Sequence, residues 1–310
     1  MARTSAQMQV LRSIDSLSSL PGPLALAVGV FDGLHLGHQE VIRAAQEHAN
    51  QHRGTAVVVT FDPHPARVLR PENAPQLLCG PRHQQRELDR SGISCLLNCP
   101  FTTETARTPA PEFIRQLIEA SRPLGCISVG YAWQFGHRRE GNIHLLMELG
   151  QQFGFAVYGV PPVKIGGETV SSTLIREAIA KGDFERAGSL LGRRHSVFGT
   201  VVEGQKLGRQ LGFPTANVAF ENEQLPPLGV YAAEVLIQDE WLPAVANLGR
   251  RPTVAEDADP SLEVHLPDWC GDLYGQDLEV RFTRFLRPEM KFNGLEELKA
   301  QIRRDIAAAK

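Results

Sequence analysis

The stretch VGVFDGLHLGHQEVI, Val28–Ile42, sets two histidines three residues apart, with glycines around them, between an apolar run and a helical pattern. The run LALAVGVF from Leu24 reads as a buried strand, and Val41, Ile42, Ala45 and Ala49 fall on one helical face. The stretch is therefore a strand-to-helix turn. Further apolar runs at Ala56–Phe61, Ile93–Leu97, Cys126–Gly130 and Phe155–Val160 are mostly separated by helix-compatible segments. Such alternation predicts a parallel sheet flanked by helices. Ligands bind outside the carboxyl ends of such strands, where GVFDGLHLGH, FDPHP and VGYAWQFGHR all fall.

The pattern changes after Gly182 and Gly192, which are placed to close two short helices. Short period-two runs follow: VFGTVV, GVYAAEVLI, WLPAVANL, LEVHL and LEVRFTRFL. They predict an all-β domain from about residue 187, dividing the chain into 1–186 and 187–310. At the end, Leu295, Leu298, Ile302 and Ile306 form one helical stripe, and Asn293 with Glu296 resembles a capping pair. A closing helix is expected to pack on the β domain.

The 310 residues suffice for about two domains. A net charge of −3 gives no electrostatic footprint for nucleic acid or an anionic membrane, so the expected partners are small molecules. Five scattered cysteines without a C-x-x-C pair indicate neither a disulfide framework nor a zinc site. No apolar run reaches membrane-spanning length and the first residues lack a signal-peptide core, so a cytoplasmic location is expected.

At the turn, His35 and His38 lie where backbone amides and the helix dipole favour an anion such as a nucleotide phosphate. Gly33 and Gly37 let the backbone approach it, and imidazoles can donate to charge developing on phosphorus. A helix-capping turn carrying the same letters by chance is the plainer alternative. In VSSTLIREAI, Ser172 is placed to cap a helix and Arg176, one turn later, to reach a polyphosphate, or simply to remain solvated. In the β domain, GTVVEGQKLGRQLGFPTANV brackets a loop with Gly204 and Gly208 and sets Thr215 and Asn217 two apart. Strand alternation would point both oxygens the same way, as a magnesium site requires, although the tetrapeptide PTAN also suits a plain turn.

The motifs G-x-F-D-G-x-H-x-G-H and S-S-T-x-I-R, with TFDPHP, resemble the adenylyltransferase module of the bacterial bifunctional riboflavin kinase/FAD synthetase family, an HxGH nucleotidyltransferase with a Rossmann-like sheet. The stretch G-x-x-x-G-R-x-x-G-F-P-T-A-N, with GVYAAEV, ANLGRRPTV and LEVHLPDWCGDLYG, resembles its riboflavin kinase module, a small β-barrel with a C-terminal helix. The resemblance implies that ATP is held by Gly29, Phe31, Asp32, Gly33, His35, Gly37, His38, Ser172, Thr173 and Arg176 while FMN is adenylylated to FAD. It implies a second ATP site at Gly204, Gly208 and Arg209, with Mg²⁺ at Thr215 and Asn217. There Glu263 would act as base toward the riboflavin hydroxyl. Asp62 and His64 would bind flavin or shape the loop. One segment departs from the family's V-G-x-(Asp/Asn)-F-x-F-G: VGYAWQFG carries Ala132 and Gln134. That leaves open a first domain that binds nucleotide or flavin with little catalysis.

Overall fold

The computed structural model describes residues 8–204, 208, 211–221, 223–250 and 260–309. They form two compact units. The first holds 8–76 and 84–171; the second holds 172–309 together with the short segment 77–83.

The first unit is built on six parallel strands: β1 (Gln9–Leu11), β2 (Leu24–Val28), β3 (Thr55–Asp62), β4 (Cys95–Pro100), β5 (Leu124–Gly130) and β6 (Ala156–Val160). Their order is β1-β4-β3-β2-β5-β6, so the winding reverses beside β2, whose carboxyl end leads into the two-histidine motif. Every residue of β2 is buried, as both faces of a central parallel strand must be. Alternation divides them: Leu24, Leu26 and Val28 join Ile114, Leu117 and Leu146 on one face, while Ala25 and Ala27 join Val41, Ile42, Ala45 and Ala49 on the other. Those last four residues are the expected stripe of helix α1 (Leu36–His52). Burial of a Val or Ile side chain contributes about 1.5–3 kcal/mol. Strand β1 was not foreseen, nor was the hairpin of β7 (Lys164–Ile165) and β8 (Glu168–Thr169), turned by Gly166 and Gly167 at φ of 59° and 87°.

The second unit begins with α6 (Ser172–Ala180) and α7 (Phe184–Leu191), closed as expected by Gly182 and Gly192 with φ of 72° and 73°. Six antiparallel strands close a barrel: β9 (Val197–Val202), β10 (Thr215–Phe220), β11 (Gly229–Ile237), β12 (Glu240–Arg250), β13 (Pro260–His265) and β14 (Asp277–Arg287). The compact unit starts before the expected boundary at 187 because Phe184 of α7 stacks on Phe282 and meets Tyr231 edge-on, which ties the preceding helices to the barrel.

The segment 77–83 joins the barrel by long-range pairing. Leu77 bridges Glu223, whose buried carboxylate accepts from the Gly80 amide at 2.8 Å and lies 3.0 Å from His83 Nδ1. Ser196 Oγ lies 3.3 Å from His83 Nε2 and donates to Glu279 at 2.8 Å. These groups are out of water, so each depends on the others. Glu223→Ala removes the buried carboxylate that the Gly80 amide and His83 Nδ1 share and is expected to destabilise the second unit by about 3–5 kcal/mol. Chemical denaturation of the full chain reads it; an unchanged midpoint would show that the pairing is dispensable.

The C-terminal helix (Leu295–Ala309) packs on the barrel, with two corrections to the expected pattern. Leu295 is 57% exposed, and the deepest residue is Asp305, which forms a two-pronged ion pair with Arg287. The Asn293 amide donates to Glu297, not Glu296, which instead pairs with Lys299.

Candidate active sites

In the first unit, the chain leaves β2 through a strained turn. Phe31, although not glycine, has φ 54° and ψ 28°, and Leu34 has φ 44°. Such backbone persists only where neighbours hold it. Here the Gln84 amide donates to the carbonyls of Val30 and Phe31 at 3.0 and 3.1 Å, Thr60 Oγ1 donates to Val30 at 2.9 Å, and Gln39 donates to Leu34 at 2.8 Å. Gln84 and Gln39 were not foreseen, since their role depends on carbonyls freed by the turn.

His35 caps α1: its Nδ1 accepts from the His38 amide at 3.3 Å. Its ring stacks on that of His38 with centroids 3.5 Å apart, and Phe31 meets His38 edge-on at 5.4 Å. Because Nδ1 of His35 accepts, a neutral ring carries its proton on Nε2, facing away from the cap. A Cβ on Gly37 would lie 3.2 Å from the His35 ring, so this glycine leaves the ring its place. Burial, with His35 adding to it, holds the His38 imidazole well below its usual range, and its Nδ1 is buried with no hydrogen-bond partner among the described residues. Gly29, Phe31, Asp32 and Gly33 form the same turn, with Asp32 and Gly33 buried.

Ser172 and Thr173 open α6 and Arg176 follows one turn on, as the letters suggested, but these residues belong to the second compact unit. Asp62 ends β3, where Asn98 Nδ2 approaches its carboxylate at 3.5 Å, and His64 Nδ1 accepts from the Ala66 amide at 3.1 Å, capping α2 (Pro65–Leu69). His64 thus fixes the start of this short helix. In the departing segment, Ala132 and Gln134 are exposed, while Trp133 stacks on Phe135 with centroids 4.4 Å apart.

The barrel carries the other site. Antiparallel register places Thr215 opposite His265 and Asn217 opposite Glu263; on the far side of β13, Val245 faces His265 and Asn247 faces Glu263. Alternation sends Ala216, Val218, Ala246, Leu248, Leu262 and Val264 into the core, so the six paired residues share the barrel's outer face. All six line one cavity of about 260 Å³, walled on its far side by Leu298, Ile302 and Asp305 of the C-terminal helix. Thr215 Oγ1 donates to Glu263 Oε2 at 3.4 Å. Asn247 and His265 are the residues that sequence reasoning missed there. The glycines act through close approach: a Cβ on Gly204 would fall 2.2 Å from Asn217 Nδ2, and one on Gly208 would fall 2.4 Å from the Phe213 carbonyl. Arg209 lies outside the described residues.

Two neutral oxygen donors, Thr215 Oγ1 and Asn217 Oδ1, on the wall of a cavity that Glu263 also lines, fit a hard divalent cation better than a softer metal.

The family model for FAD synthetase matches residues 18–174, and that for riboflavin kinase matches 191–310. Arg176 lies just beyond the first match. The bifunctional riboflavin kinase/FMN adenylyltransferase of Escherichia coli K12 is 38% identical over 305 residues, covering 98% of this chain and 97% of the relative. That of Pseudomonas fluorescens is 39% identical over 303 residues, covering 98% and 97%. A crystal structure described as a macrolide-efflux protein from Streptococcus pneumoniae is 31% identical, with a TM-score of 0.81 over 97% of this chain and 99% of that one. Efflux is said of that protein; among the described residues here no helix is long and apolar enough to cross a membrane. With both domain models matched in order and relatives aligned over nearly their whole length, the chain belongs to the bifunctional riboflavin kinase/FMN adenylyltransferase family, and it carries both activities.

Proposed function

We propose that the two reactions are divided between the sites as follows. On the barrel's outer face, the γ-phosphoryl group of ATP passes to the terminal hydroxyl of riboflavin, giving FMN. Glu263 accepts a hydrogen bond from that hydroxyl, orients it and takes its proton as the new phosphorus–oxygen bond forms. Thr215 and Asn217 hold magnesium, which supplies the positive charge that phosphoryl transfer demands. Gly204, Gly208 and Arg209 accompany the nucleotide. The observation that carries this reading is the six-residue outward face, in which Glu263 lies between Asn217 and Asn247 within one cavity.

At the strained turn of the first unit, the phosphate of FMN attacks the α-phosphorus of ATP, and pyrophosphate leaves. His35 and His38 donate to the α-phosphate oxygens, while the turn residues Gly29, Phe31, Asp32, Gly33 and Gly37 approach the nucleotide through backbone. Ser172, Thr173 and Arg176 bind the departing phosphates. Asp62 and His64 shape the loop beside the flavin. No nucleophilic side chain is required, because the substrate phosphate is itself the nucleophile. The partners are riboflavin, FMN, FAD and ATP. Five cysteines, none of them bridged, suit a reducing cytoplasmic setting.

The test is a time course with riboflavin, ATP and Mg²⁺, the flavins being separated by chromatography. FMN should appear first and FAD after it, and a chelator should stop both steps. Absence of FMN would refute the barrel site; FMN without FAD would refute the adenylyl-transfer site.

A further inference from the structure

We propose that His265 is the positioning residue that sets the Thr215 hydroxyl for the divalent cation of the kinase site. The inference rests on the reading of Thr215 as a ligand of that cation.

Thr215 begins β10 immediately after a proline, and Pro214 has no amide to offer the ladder, so the backbone alone fixes the start of this strand weakly. The direct bond from Thr215 Oγ1 to Glu263 is long at 3.4 Å and leaves the side chain underdetermined. His265 supplies the missing constraint. It is 9% exposed, lies directly opposite Thr215 in the register, and brings Nδ1 to 2.8 Å from the Pro214 carbonyl. That carbonyl has no proton, so Nδ1 is the donor and the ring's proton is placed there. Phe213 stands edge-on to the same ring, with centroids 5.8 Å apart. One imidazole thus grips both residues that precede Thr215.

The grip extends back to Gly208. The Phe213 amide donates to the Gly208 carbonyl at 2.8 Å, and a Cβ on Gly208 would lie 3.3 Å from Thr215 Oγ1. Gly208, Phe213, Pro214 and Thr215 are therefore linked by contact, and His265 ties them to β13. Glu263, two residues earlier on the same strand face, meets the anchored group only through the long bond from Thr215 Oγ1, and its register partners are Asn217 and Asn247. Loss of the His265 hydrogen bond should accordingly disturb the cation and leave the base in place.

The test compares the full-length protein with His265→Phe, which keeps the ring against Phe213 and removes the donor, and with His265→Asn, which keeps a donor near the Nδ1 position and removes the ring. Thr215→Val serves as the ligand control. ADP binding is measured by calorimetry with riboflavin present, in excess Mg²⁺ and again in chelator; nucleotide binding by the first unit is a background common to every variant. Thr215→Val and His265→Phe should each weaken binding by about three- to tenfold with Mg²⁺ and leave it unchanged in chelator, the scale of one lost hydrogen bond, and His265→Asn should match the parent. In FMN formation, His265→Phe should raise KM for magnesium-ATP more than it lowers kcat.

If Thr215→Val leaves the magnesium dependence unaltered, the ligand reading fails and this inference with it. If Thr215→Val shifts it and His265→Phe does not, or if His265→Phe weakens binding equally in chelator, the inference alone is overturned and His265 is a packing residue. Should the Phe variant not fold, His265→Asn decides: parental magnesium dependence supports the donor role, and a shifted one overturns it.

Discussion

Glu263→Gln should lower FMN formation by about 10²–10⁴-fold, the range for removing a positioned general base, while FAD formation from supplied FMN continues. The substitution isolates proton acceptance because everything else about the site survives it. The amide has the carboxylate's shape, keeps an oxygen to accept from Thr215 Oγ1, and remains paired in register with Asn217 and Asn247. The cation's side-chain oxygens on β10 are untouched. The loss should therefore fall on kcat, with KM for magnesium-ATP nearly constant, since an interaction realised only as the proton leaves contributes little to ground-state binding. Because phosphoryl transfer depends more on positioning than on covalent chemistry, Glu263→Ala should cost more than Glu263→Gln: it removes the hydroxyl's partner as well as its base. Near-parental FMN formation by folded Glu263→Gln would take Glu263 out of the proton transfer.

The contrast between this glutamate and its neighbours shows what a linear sequence conveys. Period-two alternation put Thr215 and Asn217 on one face, and the structure keeps them there. In the folded barrel the same alternation turns Val245, Asn247 and His265 outward, but an outward face becomes a site wall only when something covers it. The covering element is the C-terminal helix, whose Leu298 and Ile302 belong to the legible apolar stripe and whose buried Asp305 does not. A buried aspartate is recognisable only beside Arg287, and no local pattern reports that pairing. The segment 77–83 is a stronger case: Leu77 and Glu223 meet across nearly half of the chain length, through a bridge too short to leave any periodic trace. In the first unit, strands β2 to β5 were legible because burial gives continuous apolar runs, and edge strand β6 because its letters are apolar although it is only half-buried, whereas three-residue β1 and the two-residue strands of the β7–β8 hairpin fall below the window in which periodicity exists. The two-histidine motif pointed to an anion site through its glycines and helix start. The strain at Phe31 and Leu34, and the amides that hold it, were invisible because φ is not written in residue type.

That strained turn leads to the second large expected effect. His38→Ala should reduce adenylylation of FMN by about 10²–10³-fold, the scale for losing one preorganised donor to transition-state charge, and should spare riboflavin phosphorylation. Preorganisation is the reason to expect so much from one ring. His38 is clamped between the His35 ring at 3.5 Å and the Phe31 ring at 5.4 Å, so it is already oriented before a nucleotide arrives. Burial and His35 keep it neutral at ordinary pH, which lets it lie against its neighbour without like-charge repulsion. An arriving triphosphate reverses that balance: negative charge beside a buried imidazole favours the protonated form, and most strongly as charge builds on the α-phosphate oxygens. Because that charge is greatest in the transition state, the ring is worth more there than in the bound ground state, which is the condition for a kcat effect. His38→Gln, which retains a donor at the end of a flexible chain, should recover part of the rate and less than all of it, because the clamp acts on a planar ring. The measurement is FAD formed from FMN and ATP, with FMN formation from riboflavin as the control in the same preparation. A fall of less than about tenfold in FAD formation would deny His38 a direct contact with the reacting phosphate, and an equal fall in both activities would trace the loss to the fold.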